Sequence, residues 1–298
     1  MNPWCTILIP TFNGGRYLPT LISSLLDAAD QEYPVLFIDD ASIDETLEII
    51  SAAPLCRKRI LLNQPNLGLF ATLNNALQEV ETEYVSLIFQ DNLIERAYFQ
   101  QMRLLIERYP QVSFFWTEIT EIDEFDRIIR YGLDTCREEL ILPGCQPWRD
   151  VLRRGCVWTI GASISKTERL RHHRFRSDLP QCGDYEFLLR AIREDVFLYF
   201  ERPLIKLRNH RGNASFRYSL RSIDIKETIL VYREQWSRFE ADFDPALRLS
   251  LRRSLVYHIM RRSVSQARRG FLLQAIKTLA LLPKAALSFP HGRSALSQ

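Results

Sequence analysis

Apolar residues in the first third of the chain come in short solid runs separated by amphipathic stretches. CTILIP has strand length and stops at Pro10. YLPTLISSLLDAA follows with apolar residues at helical spacing and a proline early, where a helix tolerates it. PVLFIDD is a second run that ends in two acids. SIDETLEIISAA opens with Ser42 three residues before Glu45, a capping-box pattern, and predicts a helix. RILLN with GLFATLNNALQEV, and YVSLIF with IERAYFQQMRLLIERY, repeat the alternation twice more. Strand and helix at this rhythm predict right-handed crossovers and a parallel sheet. A sheet covered on both faces explains why its strands are solid runs and do not alternate.

From about Phe114 the rhythm loosens. FFWTEITEI and RIIRYG predict mixed strand and loop, DYEFLLRAIRE a helix, and VFLYFER and LIKLRNH two strands; beyond Ser215 only helices are expected. The expected organisation is an α/β domain over residues 1–217 and a helical extension over 218–298. Charge sharpens that division. From Leu251 onward the chain has nine basic residues and no acid, so a net +3 overall leaves −6 for the rest. The tail stretch GFLLQAIKTLALLPKAALSF has the length of a membrane span, but Lys277, Pro283 and Lys284 interrupt it. TILIP is too short for a secretory leader, which predicts a cytoplasmic protein. Six scattered cysteines, with no C-x-x-C pair and no histidine at zinc-finger spacing, predict buried thiols of a reducing compartment. RRSLVYHIMRRSVSQARRG fits an amphipathic helix on anionic lipid, and equally a helix packed against the acidic remainder. Nucleic acid is set aside as a partner, because no recognised binding module accompanies the charge.

Open parallel sheets bind ligands beyond the carboxyl ends of their strands. On that rim the expected strands end in Pro10-Thr11-Phe12-Asn13, in Asp39-Asp40, near Asn66, and in Gln90-Asp91-Asn92. Acids gathered there suit a divalent cation with phosphates, since Mg²⁺ and Mn²⁺ favour oxygen ligands. The chain has neither G-x-x-x-x-G-K-[ST] nor a G-x-G-x-x-G after its first strand, so a nucleotide must be held by another device.

TILIPTFNGGRYLPTLISSLL, VLFIDDASIDETLEII, NLGLFATLNNAL and YVSLIFQDN, then GCVWTIGASISKTERL, GDYEFLLRAI and RNHRGNAS, follow in the order and spacing of one known family. The chain resembles the family 2 glycosyltransferases of the GT-A fold, of the bacterial surface-glycan type, over roughly residues 5 to 217. That resemblance implies an α/β GT-A domain and transfer of a sugar, with inversion, from a nucleotide-diphosphate donor of UDP or GDP type. The acceptor it implies is a hydroxyl of a glycan or lipid-linked glycan. It tilts the reading of the basic tail toward a peripheral position on the inner face of a membrane.

The resemblance also carries residue roles. Pro10, Thr11, Asn13, Asp40, Asn66 and Asn74 match nucleotide-binding positions, and Asp40 would accept a hydrogen bond from the ring N–H of a uracil-like base. The family has Asp-x-Asp, often followed by another Asp, where this chain has Phe89-Gln90-Asp91-Asn92. Asp91 keeps the metal-ligating carboxylate for Mg²⁺ or Mn²⁺, Asn92 offers a carbonyl oxygen, and His210 matches a position near metal and phosphates. Arg208 and Arg211 would add charge-assisted bonds. The family's Glu-Asp-aromatic pattern is Gly183-Asp184-Tyr185 here, with Arg190 at the expected spacing, so Asp184 is the expected catalytic base. The paired histidines of RLRHHRFR, His172 and His173, are expected in a solvated loop. The departures at Phe89, Asn92 and Gly183 motivate an alternative, a relative that binds a nucleotide sugar or a partner without turnover.

Overall fold

A computed structural model describes residues 3–29 and 33–286. The alternation at the start of the chain becomes β1 (Cys5–Thr11), α1 (Leu18–Ala28), β2 (Val35–Asp39), α2 (Thr46–Ala52), β3 (Lys58–Leu62), α3 (Leu69–Gln78) and β4 (Tyr84–Ile88). β5 (Leu93–Ile94), α4 (Tyr98–Arg108), β6 (Phe114–Ile122), β7 (Ile128–Arg130), β8 (Arg137–Ile141) and α5 (Cys145–Arg154) follow. Next come β9 (Ala162–Lys166), α6 (Thr167–His173), α7 (Gly183–Ala191) and β10 (Phe197–Arg208). Among the described residues the strands form one sheet in the order β3-β2-β1-β4-β9-β6-β10-β5, with β7 on β6 and β8 on β10.

The pairs β1–β2, β1–β4, β2–β3 and β6–β10 are parallel, whereas β9 runs antiparallel to both β4 and β6. Every residue of β1, β2 and β4 is buried, which is why these strands are solid apolar runs. Their side chains join Leu18, Leu21 and Leu25 of α1 in one core. Burying each large apolar side chain contributes about 1.5–3 kcal/mol, so the tips of these strands are held rigidly.

Two local expectations change. The two strands expected around Pro203 are one, β10, whose register against β6 shifts on either side of Pro203. A proline has no N–H for the ladder, so it disturbs the register without ending the strand. α2 begins at Thr46, and Ser42 does not cap it: the Ser42 hydroxyl donates to Asp39 and accepts from the Asn13 N–H. Nor are all the thiols buried. All six cysteines are free; Cys5 and Cys182 are buried, whereas Cys56, Cys136 and Cys156 are exposed.

The chain divides into two units. The described residues up to Trp148 with Cys156–His210 form the α/β unit, and Arg149–Gly155 with the described residues from Arg211 onward form a helical unit. The helical unit contains α8 (Ala214–Leu220), α9 (Ile223–Arg238), α10 (Pro245–Arg268), α11 (Leu272–Leu279) and α12 (Leu282–Ala286). α10 starts with Pro245 in its first turn and with the Asp244 carboxylate accepting the Leu247 N–H at 2.8 Å. Its buried stripe is Leu247, Leu251, Leu255 and Ile259. α11 is fixed to α10 by the buried Thr278 hydroxyl, 2.8 Å from Gln266 Oε1, while Gln266 Nε2 donates to Ser222 at 3.0 Å. No described helix is long and apolar enough to cross a membrane. Of the nine basic tail residues, Arg293 lies outside the described residues.

Candidate active site

The ends of β1 and β2 are bound together by side chains. Thr11 Oγ1 donates to Asp39 Oδ1 at 3.0 Å, and Asp39 Oδ2 accepts the Ser42 N–H at 2.8 Å. Asn13, at φ 48°, receives the loop after β2: its Oδ1 accepts the Ile43 N–H at 2.9 Å. Asp40 is buried beside them and faces the start of α3. Its Oδ1 accepts from the Leu67 N–H at 2.8 Å and from Asn63 Nδ2 at 2.9 Å, and its Oδ2 accepts from the Gly68 N–H at 2.8 Å. Asn66 Nδ2 donates to the Asp40 carbonyl at 2.8 Å. Pro10, Thr11, Asn13, Asp40 and Asn66 therefore meet on one rim. Asn74 does not join them, because the Phe175 backbone engages both ends of its amide, at 2.7 and 2.9 Å.

The tip of β4 carries the altered Asp-x-Asp. The Phe89 ring lies over Gly161, at the entrance to β9, where a Cβ would come within 2.8 Å of it. Asn92 is buried and its Nδ2 donates to the Gly161 carbonyl at 3.2 Å. Gln90 reaches the other way. Its Oε1 accepts the Phe12 N–H at 2.8 Å and its Nε2 donates to the Phe12 carbonyl at 3.1 Å, clasping the β4 tip to the loop after β1. Gly14 makes room for this clasp, since a Cβ there would lie 2.3 Å from Gln90 Oε1.

Between these neighbours stands Asp91, whose Oδ2 is 3.0 Å from His210 Nε2, both side chains being more than four-fifths buried. Arg208, at the end of β10, is almost wholly buried. It donates through Nε to the Asp91 carbonyl at 3.0 Å, through Nη1 to the Asp123 carbonyl at 3.1 Å, and pairs through Nη2 with Asp126 at 2.6 Å. The Tyr17 ring links the two side chains: it is 4.6 Å from the His210 ring, and the Arg208 guanidinium is 4.8 Å from its centroid. Burial pushes the Tyr17 hydroxyl pKa up, Arg16 and Arg208 oppose the shift, and Glu124 and Asp91 add to it.

The donor set fits a divalent ion. Two cis ligands about 2.1 Å from an octahedral cation lie roughly 3.0 Å apart, the separation of Asp91 Oδ2 and His210 Nε2. A carboxylate and an imidazole, with diphosphate oxygens and water completing the shell, suit Mn²⁺ or Mg²⁺. Phe89 and the buried Asn92 amide add no anionic ligand. Among the described residues one other group is spaced for a metal, His172, His173 and Glu194. A cation already occupies that neighbourhood: Arg169 pairs with Asp195 at 2.7 Å and with Glu194 at 3.7 Å, and His173 contacts Asp195 at 2.6 Å. The expected solvated loop is instead the end of α6, with His173 buried. Burial alone would raise the Asp195 carboxyl pKa, but hydrogen bonds from His173, Arg169 and Ser113 outweigh it and hold it at about 2.

Asp184 lies in the first turn of α7, where its Oδ1 accepts the Tyr185 N–H at 2.7 Å. The neighbouring glycine has a steric origin: a Cβ on Gly183 would lie 2.5 Å from the Phe70 ring of α3. Phe70 is buried and stacks on Phe175. Arg190 pairs with Glu186 at 2.8 Å and donates to the His173 and Arg174 carbonyls, bracing α7 against the end of α6. Sequence reasoning missed the Gln90 clasp and Tyr17. Gln90 looks like the variable middle residue of Asp-x-Asp, and Tyr17 like the first apolar position of α1.

An α/β sheet with polar groups collected beyond β1, β2 and β4, and a carboxylate–imidazole pair among them, is the architecture of a GT-A glycosyltransferase. The family model for glycosyl transferase family 2 matches residues 6–196, and the chain belongs to that family. It is a glycosyltransferase. The putative glycosyltransferase EpsE of Bacillus subtilis is 26% identical over 241 residues, covering 78% of this chain and 81% of that protein. Among solved structures, S. aureus TarS in complex with UDP-GlcNAc aligns with a TM-score of 0.59 at 14% identity, covering 94% of this chain and 91% of the other. The mannosyltransferase PcManGT of Pyrobaculum calidifontis, in complex with GDP-Man and Mn²⁺, aligns with a TM-score of 0.55 at 15% identity, covering 96% and 79%. At such identities these two establish the fold.

Proposed function

We propose that the chain transfers a sugar from a UDP- or GDP-type donor to an acceptor hydroxyl with inversion, in the synthesis of a cell-surface polysaccharide or glycolipid. The observation that carries this reading is the Asp91–His210 pair at 3.0 Å on the strand-end rim. The acceptor oxygen attacks the anomeric carbon while the bond to the diphosphate oxygen breaks, and Asp184 accepts the hydroxyl proton. Asp91 and His210 would hold Mg²⁺ or Mn²⁺, which when bound neutralises the departing diphosphate. The Asp40 carboxylate has about four lone-pair sites, and the three bonds it accepts leave one on Oδ2 for a base N–H. Asn13 and the backbone around Pro10 and Thr11 border the same rim. Relatives solved with UDP-GlcNAc and with GDP-Man and Mn²⁺ support this donor class. We assign transfer to the α/β unit and a peripheral position on the cytoplasmic face of a membrane to the whole chain.

A donor-hydrolysis and transfer assay over UDP- and GDP-sugars, with and without Mn²⁺, tests the reading. Asp184→Asn is expected to lower transfer by about 10²–10⁴-fold with donor affinity retained. His210→Ala is expected to weaken Mn²⁺-dependent donor binding. Unchanged rates in Asp184→Asn overturn the assignment of the base, and NMR of the product anomer tests inversion. A second reading, donor binding without turnover, is favoured by the ring of Phe89 and the missing acid at Gly183. Calorimetric binding of UDP with Mn²⁺, and no sugar release over the whole panel, would establish it.

A further inference from the structure

The helical unit leaves apolar side chains in solvent on both α10 and α11, and α10 is the arginine-rich one. Thr278 and Ala275 turn the inner face of α11 into the unit, and the opposite face presents Leu272, Leu273 and Ile276 at 65%, 67% and 64% exposure. On α10 the exposed residues Tyr257, Met260 and Val264 recur at helical spacing, interleaved with Arg261 and Arg268. They line an open groove of about 470 Å³ that continues to Arg269. Soluble monomers seldom expose this much apolar surface without a binding role.

We infer that the exposed face of α10 lies on an anionic lipid bilayer, with Tyr257, Met260 and Val264 in the headgroup boundary and Arg261 and Arg268 among lipid phosphates. The inference deepens the peripheral placement proposed above by naming the surface and the lipid charge. Charge complementarity selects the occupant: from Leu251 onward the chain has basic residues and no acid, the composition of a helix that binds anionic headgroups. A second copy of the chain fits worse, because a two-fold contact through this face would bring like charges together. No described helix is long and apolar enough to cross, so α10 is placed along the surface.

The test is co-sedimentation of the full chain with phosphatidylglycerol–phosphatidylcholine vesicles and with phosphatidylcholine vesicles alone, at low and high salt. Binding to the anionic vesicles, weaker at high salt and lost in Met260→Glu with Val264→Glu, is expected. Each of Arg261→Gln and Arg268→Gln should lower partitioning about 5-fold. Equal binding to neutral vesicles, or full binding by the double glutamate variant, overturns the inference. So does a concentration-dependent dimer abolished by the glutamates in a chain that ignores vesicles. Donor hydrolysis without vesicles is measured in parallel, so loss of the transferase reading and loss of the membrane surface register separately.

Discussion

The clasp between Gln90 and Phe12 offers a test in which two distant residues must act as one. Gln90→Ala removes two hydrogen bonds, of 2.8 and 3.1 Å, that join the β4 tip to the loop after β1. At about 0.5–1.5 kcal/mol net for each, the loss is about 1–3 kcal/mol. For a folded unit of this size that lowers the melting temperature by roughly 2–12 °C. Gly14→Ala should cost about the same for the same reason. A Cβ at Gly14 lies 2.3 Å from Gln90 Oε1, so the amide has to leave its place and gives up both bonds. Gly14 is not at positive φ, which leaves the backbone free to accept alanine. Each single substitution thus breaks the same clasp, and the double variant should be no less stable than either single one. The assay is a double-mutant cycle by thermal and urea unfolding, with a coupling of about 1–3 kcal/mol expected. Additive costs in the double variant would refute the reasoning.

Other consequences follow from groups packed around the site. The Asp195 carboxyl, held at about 2 below its ordinary 3.8, contributes stability that is complete above about pH 4 and is lost as pH falls through 2. Asp195→Asn should therefore destabilise the protein on the order of 1–2 kcal/mol at neutral pH, with the difference from wild type shrinking between pH 4 and 2 in unfolding titrations. Gly183→Ala drives a Cβ to 2.5 Å from the Phe70 ring and should cost about 1–3 kcal/mol; thermal unfolding of Gly183→Ala in a Phe70→Leu background should recover most of it.

Most of the sheet was legible because its central strands are buried on both faces, which makes CTILIP, PVLFID and YVSLI continuous apolar runs. β9 and β10 were harder. The reversal of β9 between β4 and β6 leaves no mark on its apolar pattern, and Pro203 imitates a strand end while only shifting a register. The motifs located Asp91, His210 and Asp40 just beyond strand ends and Asp184 in the first turn of a helix, and the structure has them there. Asn74 showed the limit of such matching. An asparagine facing a ligand and one that clamps the Phe175 backbone have the same local sequence, and only the tertiary contact separates them. Gln90 and Gly14 were invisible for the same reason, lying in the segments after two different strands with no pattern relating them.

Two of the three departures from the family pattern share a physical form. At β4 the Phe89 ring rests on Gly161, and at α7 the Phe70 ring occupies the space over Gly183. In both places an aromatic ring meets a glycine at a separation that excludes a Cβ, so each departure comes with a partner shaped to it. Loss of an acid by drift alone predicts a void or an orphaned polar group where the carboxylate stood. Here the volume is filled, and burying Phe70 against Phe175 contributes the roughly 1.5–3 kcal/mol of a core side chain. A lone Phe89→Asp change would set a carboxylate against the Gly161 backbone with no cation donor supplied to it, and a lone Gly183→Glu change would collide with Phe70. The transfer proposed for this rim therefore draws on Asp91 and Asp184 as its acids, with His210 beside Asp91.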